Sequence, residues 1–240
     1  MADHRALVPA LSQFARRLVR DYDVDEVLDC FCHQVVAVLG TSGAGVSLVD
    51  AAGVLRLVAA TDDHIEQIEN LQTSLRDGPC FEAYRLGTPV AVEDPAASDR
   101  WPGFAEGMVE AGLHAVAGVP MAVGGQRIGA LAVYSQQPRR FGQDDLEVAQ
   151  TLASVATSYV VNIRDLQATQ TLAAQLQHAL SSRVVIEQAK GVLAAQLGIG
   201  VLDAFELLRR YARSHQRKLH EVAADVVDGR LGLTCGRPSP

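Results

Sequence analysis

From Gln143 to about Leu197 the chain contains no proline and a single glycine, Gly191. Proline costs about 3 kcal/mol and glycine about 1 kcal/mol relative to alanine inside a helix, so a run that avoids both predicts one continuous helix. At 1.5 Å per residue it would be about 80 Å long, far beyond what one small domain can cover. Part of it must therefore find another partner. Val155, Tyr159, Asn162, Leu166, Thr169, Ala173, Leu176 and Leu180 follow a 4,3 spacing. Such a stripe suits a two-stranded coiled coil, in which the polar Asn162 and Thr169 would restrict register and oligomer state. A homodimer through this helix is the expectation; a single amphipathic helix folded back on its own domain is the alternative.

The segment before the long helix mixes the two periodicities. Residues 7 to 20 and 24 to 39 have helical spacing, the second opening near Asp23 or Asp25 and closing at Gly40. AGVSLVD and VLRLVAAT, parted by Ala51-Ala52-Gly53, read as a hairpin, as do VAGVPMAV and RIGALAVYS across Gly124-Gly125-Gln126. Between them lie a helix over DHIEQIENLQTSL, a second with Pro79 at its first position and Gly87 as its stop, a short strand PVAVED, and a loop entering a helix over RWPGFAEGMVEAG.

Beyond Leu197, IGVLDAFELLRRYARSHQ predicts a helix with Gly200 as N-cap and Phe205, Leu208 and Tyr211 or Ala212 on one side. KLHEVAADVVDG predicts another, with Leu219, Val222, Ala223 and Val226 inward and Gly229 just past its end. A small three-helix bundle results, its first helix continuous with the long connector. Residues 230–240 read as a flexible tail.

Charge is unevenly spread around the net −7: residues 1–180 carry 12 Lys+Arg against 22 Asp+Glu, and residues 181–240 carry 9 against 6. An acidic body has no general affinity for polyanions, so any nucleic-acid contact belongs to the last sixty or so residues. Cys30, Cys32, Cys80 and Cys235 include no CxxC pair, and Cys30 and Cys32 point to different helix faces, so reduced thiols are expected rather than a metal site. The N-terminal segment lacks a signal-peptide core, and no run approaches the roughly 20 apolar residues of a membrane span. A cytoplasmic, soluble chain without membrane contact is the expectation.

The run ALSSRVVIEQAKGVLAAQLGIGVLDAFELLRRYARSHQRKLHEVAADVV resembles the ANTAR domain, a three-helix RNA-binding module of bacterial transcription antiterminators, with SR, IEQAKG, LG, AF.LLR.YAR, KL and VA..VV in order. Residues 24 to 142 resemble a GAF domain, a small-molecule sensory fold; GPCFEAYRLGTPV, RWPGF and PMAVGGQRIGALAVYS are similar to the form found in actinobacterial GAF/ANTAR proteins. The resemblance implies an α+β chain: a GAF-like antiparallel sheet with flanking helices over 1–142, a coiled-coil linker helix over 143–180, an ANTAR bundle over 181–229 and the tail over 230–240. It also implies a dimer that binds paired RNA stem-loops in antitermination. Two positions depart from the pattern: Gln216 stands where the family often has asparagine, and His220 where a basic residue commonly begins the third helix.

Helical geometry turns Ile186, Ala189, Val192 and Leu193 toward the bundle core and projects Arg183, Glu187, Lys190 and Ala194 from an adjoining face. Arg183 and Lys190 lie two turns apart, about 10 Å along the axis, comparable to the spacing of nucleic-acid phosphates. Gly191 and the alanines near it leave that face shallow enough for a backbone or unstacked base to approach. With the resemblance, Arg183, Lys190, Gly191, Arg209, Arg213 and Lys218 are the RNA-binding candidates. A solvated face paired with Glu206 and Glu221 is the plainer alternative. Phe205 and Tyr211 are expected in the core.

In the sensory segment, Cys80, Tyr84, Trp101 and Phe104 are the ligand-binding candidates for an unknown small molecule. A helix N-terminus lowers a thiol pKa, which would make Cys80 reactive, but a small residue packed under the sheet is the favoured reading. No HExxH, P-loop or GxSxG occurs, the histidines show no metal-ligand spacing, and no cofactor or catalysis is implied. Asp62-Asp63 after a strand keeps a phosphoacceptor receiver as the alternative sensor, although hairpins argue against that doubly wound fold. The functional rivals are a DNA-binding transcription factor and a signalling scaffold. A groove-reading module concentrates its cations on one recognition helix, whereas here they occupy two.

Overall fold

The computed structural model describes residues 4–17 and 24–234. Asp23, Cys235, the end of the helix expected at 7–20 and the tail beyond Thr234 lie outside them. The chain divides into two compact units at Arg164/Asp165.

In the first unit, helix α1 (His4–Arg17) and helix α2 (Val24–Leu39) precede strands β1 (Gly43–Val49) and β2 (Leu55–Ala60). Helices α3 (Asp63–Leu75) and α4 (Pro79–Leu86), strand β3 (Val90–Val92) and helix α5 (Pro102–Glu110) follow, then strands β4 (Ala115–Val123) and β5 (Gln126–Ser135). The sheet has the order β2-β1-β5-β4-β3 and every pairing is antiparallel. That topology excludes the receiver alternative, which needs parallel strands separated by helices. Asp62 is instead the N-cap of α3, its carboxylate accepting from the His64 and Ile65 amides at 3.0 Å.

The second hairpin closes on Gly124 and Gly125, at φ 57° and 83°, with Val123 opposite Gln126. Two consecutive positive φ values are what a two-residue hairpin turn matching the strand twist requires, and glycine adopts them without steric cost. Pro79 begins α4 and Gly87, at φ 76°, ends it. Gly118 on β4 faces the start of α4, where a Cβ would stand 2.5 Å from the Pro79 carbonyl oxygen; only glycine lets the helix seat there.

Strand alternation distributes residues between two cores. Leu131 and Val133 of β5 join Val27, Leu28, Phe31 and Val35 of α2 on one face, while Ala130, Ala132 and Tyr134 join Ile65, Trp101, Phe104 and Met108 on the other. Both faces being covered, the central strands read as apolar runs rather than clean alternation.

Helix α6 runs continuously from Gln143 to Leu197, as expected. Its first turns belong to the first unit: Val148, Ala149, Leu152, Ala153, Ala156, Tyr159 and Val160 are buried in the α2-side core, with Val155 packed against it. The expected linker boundary at 143 is thus corrected. Val155 and Tyr159 pack into this core instead of an interhelical seam, because a 4,3 stripe serves equally to pack a helix on its own domain. Arg139 anchors this end, donating to the Gly40 carbonyl at 2.9 Å and meeting the Asp145 carboxylate at 3.1 Å, both side chains largely buried.

In the second unit, the end of α6 packs with helices α7 (Val201–Ser214) and α8 (Leu219–Val227) around Ala189, Leu193, Ala204, Leu208, Ala212, Val222, Ala223 and Val226. Ile186, Val192 and Leu219 pack at the edge of this core. Gly200 caps α7 and Gly229, at φ 72°, follows α8, both as expected. Residues 230–234 depart from the expected tail. Leu233 is buried in the bundle, Leu231 packs against it, and Arg230 pairs with Asp225 at 2.8 Å, so apolar contact extends the folded unit beyond 229.

Candidate nucleic-acid interface

The face built from α6 and α7 differs in detail from expectation. Arg183 and Glu187 are exposed, but Lys190 is not a free cation: its side chain is 14 % exposed, and Nζ lies 2.7 Å from one Glu187 carboxylate oxygen and 2.9 Å from the other. It also stands 5.6 Å from the centroid of the Phe205 ring, within cation–π range. Phe205 is therefore corrected from core to surface edge. The inward line of α7 is Ala204, Leu208 and Ala212, and one residue's rotation on a helix, about 100°, carries Phe205 out toward α6. Tyr211 packs at the core edge with its ring stacked on His215 at 3.9 Å.

Gly191 sits beside Lys190 on the exposed side, with nothing within 4 Å of where a Cβ would stand. Lys190, Gly191 and Phe205 thus form a ledge with a cation above an aromatic ring and open backbone alongside. Arg209 is exposed one turn beyond Phe205 and pairs with Glu206 at 3.4 Å, a contact screened by solvent and worth little. Arg183, Arg213 and Lys218 are exposed and have no ion-pair partner among the described residues. Arg210 has the same status; it borders a groove of about 270 Å³ that includes Leu207, Tyr211, Ser214 and Leu233. Its adjacency to Arg209 was legible, but the groove depends on the docked 231–234 segment.

Arg217 is occupied. It bonds Asp225 at 2.7 Å, and Arg217 and Arg230 together hold the Asp225 carboxyl below the ordinary carboxylate range. This network closes the turn in which Gln216 takes a left-handed φ of 51°. Asparagine and glycine adopt that region more readily, so glutamine here bears strain on the order of 1 kcal/mol. His220 faces α6 in an edge-to-face contact with His178.

The sensory unit gathers three of its candidates tightly. Cys80, Trp101 and Phe104 are buried in the α3–α5 side core, with Tyr84 packed at its edge under the Arg127 guanidinium. Beside them lies a buried polar cluster that sequence reading missed, because its members are dispersed. Tyr134 Oη donates to Glu69 Oε1 at 2.5 Å, Ser47 Oγ donates to Glu69 Oε2 at 3.0 Å, and Gln72 Nε2 donates to Tyr134 Oη at 2.9 Å. The Cys80 amide donates to Gln72 Oε1 at 3.1 Å. Burial, then the nearby Glu69 carboxylate, pushes the Cys80 thiol well above its ordinary value. These effects outweigh the helix N-terminus, and Cys80 takes the packing role.

Burial also raises the Glu69 carboxyl above its ordinary 4.5, against the opposing hydrogen bonds of Tyr134 and Ser47. An acid whose folded-state pKa is raised contributes stability that is complete below the ordinary value and lost as pH rises through the folded one. Chemical denaturation of the first unit should therefore show falling stability on the alkaline side of pH 4.5. Glu69→Gln, which does not titrate, should flatten that slope; an unchanged slope would assign it to other groups.

Comparison with known proteins places both units. Residues 21–161 match the GAF domain family and residues 174–227 the ANTAR domain family. Among curated proteins no sequence matches the chain. Among solved structures, the GAF domain of an Acinetobacter phosphoenolpyruvate-protein phosphotransferase aligns at a TM-score of 0.55 and 16 % identity, over 70 % of this chain and 99 % of that one. The equivalent GAF domain from Coxiella burnetii gives 0.54 and 15 %, over 68 % and 98 %. The blue-light absorbing form of the Thermosynechococcus elongatus PixJ GAF domain gives 0.50 and 20 %, over 65 % and 94 %. At these identities the likeness concerns the fold.

Proposed function

Because this chain belongs to the GAF domain family and carries an ANTAR domain behind it, we propose that it is a signal-responsive antitermination regulator, a homodimer that binds paired RNA stem-loops. ANTAR domains are RNA-binding antiterminator modules and GAF domains are ligand-sensing domains; their combination is that of a regulator rather than an enzyme. Among the described residues no single helix is long and apolar enough to cross a membrane, in keeping with action in the cytoplasm.

The observation that carries the reading is the ledge at Lys190, Gly191 and Phe205. An unstacked loop base can lie on an aromatic ring while cations hold the flanking phosphates, which is how single-stranded RNA is recognised. Arg183, Arg209, Arg213 and Lys218 supply the surrounding charge. One such head carries few cations, so affinity comes from presenting two together. The exposed stripe of Leu166, Ala173, Leu176 and Leu180 provides the means: residues 166–182 contain no Asp, Glu, Lys or Arg, and pairing there desolvates no fixed charge. A small molecule received by the sensory unit would alter how the heads are presented.

The test is charge reversal. Arg183→Glu with Lys190→Glu should lower affinity for a paired-hairpin RNA at least about tenfold and reduce the salt slope by about 1 to 2, since each lost phosphate contact removes about 0.7 to 0.9. Unchanged affinity and slope would remove the ledge from RNA recognition. Competition by duplex DNA of equal charge separates the rivals: preference for the duplex would mark a DNA-binding factor, and indifference to both a scaffold.

A further inference from the structure

The histidines show no ligand spacing in sequence, yet the fold brings two together. His178, exposed on α6, and His220, half-buried in the first turn of α8, have ring centroids 5.2 Å apart with planes at 85°. Other histidines have polar partners: His33 Nδ1 lies 3.0 Å from the Asp29 carbonyl, and His215 Nδ1 lies 2.9 Å from Ser214 Oγ and 3.0 Å from the Tyr211 carbonyl. Among the described residues neither His178 nor His220 has a hydrogen bond to the protein. Their four ring nitrogens stay available.

Two imidazoles bound to one tetrahedral ion through nitrogens about 2.0–2.1 Å away have ring centres about 5 Å apart. The observed separation meets that requirement. The nitrogens would be aimed by turning the rings about χ2, a broad and soft torsion, and His178 is exposed on α6. No group of three or more His, Cys, Asp or Glu side chains is placed to hold a metal among the described residues, so water would complete the coordination.

We propose that His178 and His220 form a two-imidazole site for a borderline transition-metal ion such as Zn²⁺, Ni²⁺ or Cu²⁺, clamping α8 to α6. Imidazole pairs suit these ions, whereas hard ions such as Mg²⁺ and Ca²⁺ demand oxygen ligands. The open coordination positions make the ion exchangeable. It joins α6 to α8 in addition to the apolar core, and ion binding is thereby coupled to bundle stability. The inference is independent of the RNA reading.

Tag-free, full-length protein is titrated with Ni²⁺ near neutral pH by calorimetry, and Cu²⁺ is added for electron paramagnetic resonance. One ion should bind with two imidazole nitrogens in its spectrum. His178→Ala and His220→Ala should each lower Ni²⁺ affinity at least about tenfold, and the double variant should bind little worse than either single one. His178→Gln and His220→Gln, with helix content checked by circular dichroism, separate ligand loss from misfolding. Equal Ni²⁺ uptake by the parent and the double variant would overturn the proposal. So would a loss confined to one single variant, since the imidazoles would then not share an ion.

Discussion

Replacing both Leu176 and Leu180 by lysine is expected to leave the chain monomeric and to weaken its binding to a paired-hairpin RNA by about 10²–10⁴-fold. That is the range by which avidity exceeds a single head's affinity. Leu176 is 57 % exposed and Leu180 65 % exposed, and Ala173, Val184 and Val185 join them along one groove, so an isolated chain leaves apolar surface in water. Neither side chain belongs to the bundle core, and the helix should survive because lysine is a good helix former. The two measurements are mass in solution by light scattering and hairpin affinity at fixed salt. Monomerisation with undiminished affinity would show that the heads act singly. A dimer that persists would move the interface to another face.

The other large effect concerns the first unit. Arg139→Ala should destabilise it by about 1–3 kcal/mol, because it takes the guanidinium from the buried Asp145 carboxylate. The Gly40 carbonyl loses its donor as well, and the Phe141 ring loses the cation 5.1 Å from its centroid. The pair itself contributes much less than the cost of breaking it, since desolvation offsets most of its attraction. Arg139→Met combined with Asp145→Leu should therefore recover most of the loss. Urea denaturation followed by a probe in the first unit distinguishes these outcomes; equal destabilisation by the single and double variants would mean that the ion pair itself stabilises the fold.

Several elements are legible in the sequence because their signals are local. The limits of α6 follow from the absence of proline and the isolation of Gly191. Gly124-Gly125 dictates its hairpin turn through backbone sterics, Pro79 marks a helix start through its missing amide donor, Gly87 and Gly229 mark helix ends through left-handed backbone, and Gly200 marks a start as an extended N-cap. The bundle core was readable from spacing at Ala189, Leu193, Leu208 and Val222, each of which repeats at three or four residues.

The errors have one origin. Val155 and Tyr159 lie on the same 4,3 stripe as Leu176 and Leu180, yet the first pair packs into the α2-side core and the second remains exposed. Phe205 fits an apolar helix face but sits at its border, where its ring meets Lys190. Glu69 and Tyr134, or His178 and His220, are too far apart along the chain for any spacing rule to join them.

The sequence by itself determined where helices and turns begin and end and which families the two segments resemble, because backbone sterics, capping and periodicity act over a few residues. Only the tertiary structure decided which part of the long helix is covered, which cations are neutralised and which polar groups meet in the interior. Those outcomes depend on what packs against a face, and a residue carries no record of its distant neighbours until the chain has closed around it.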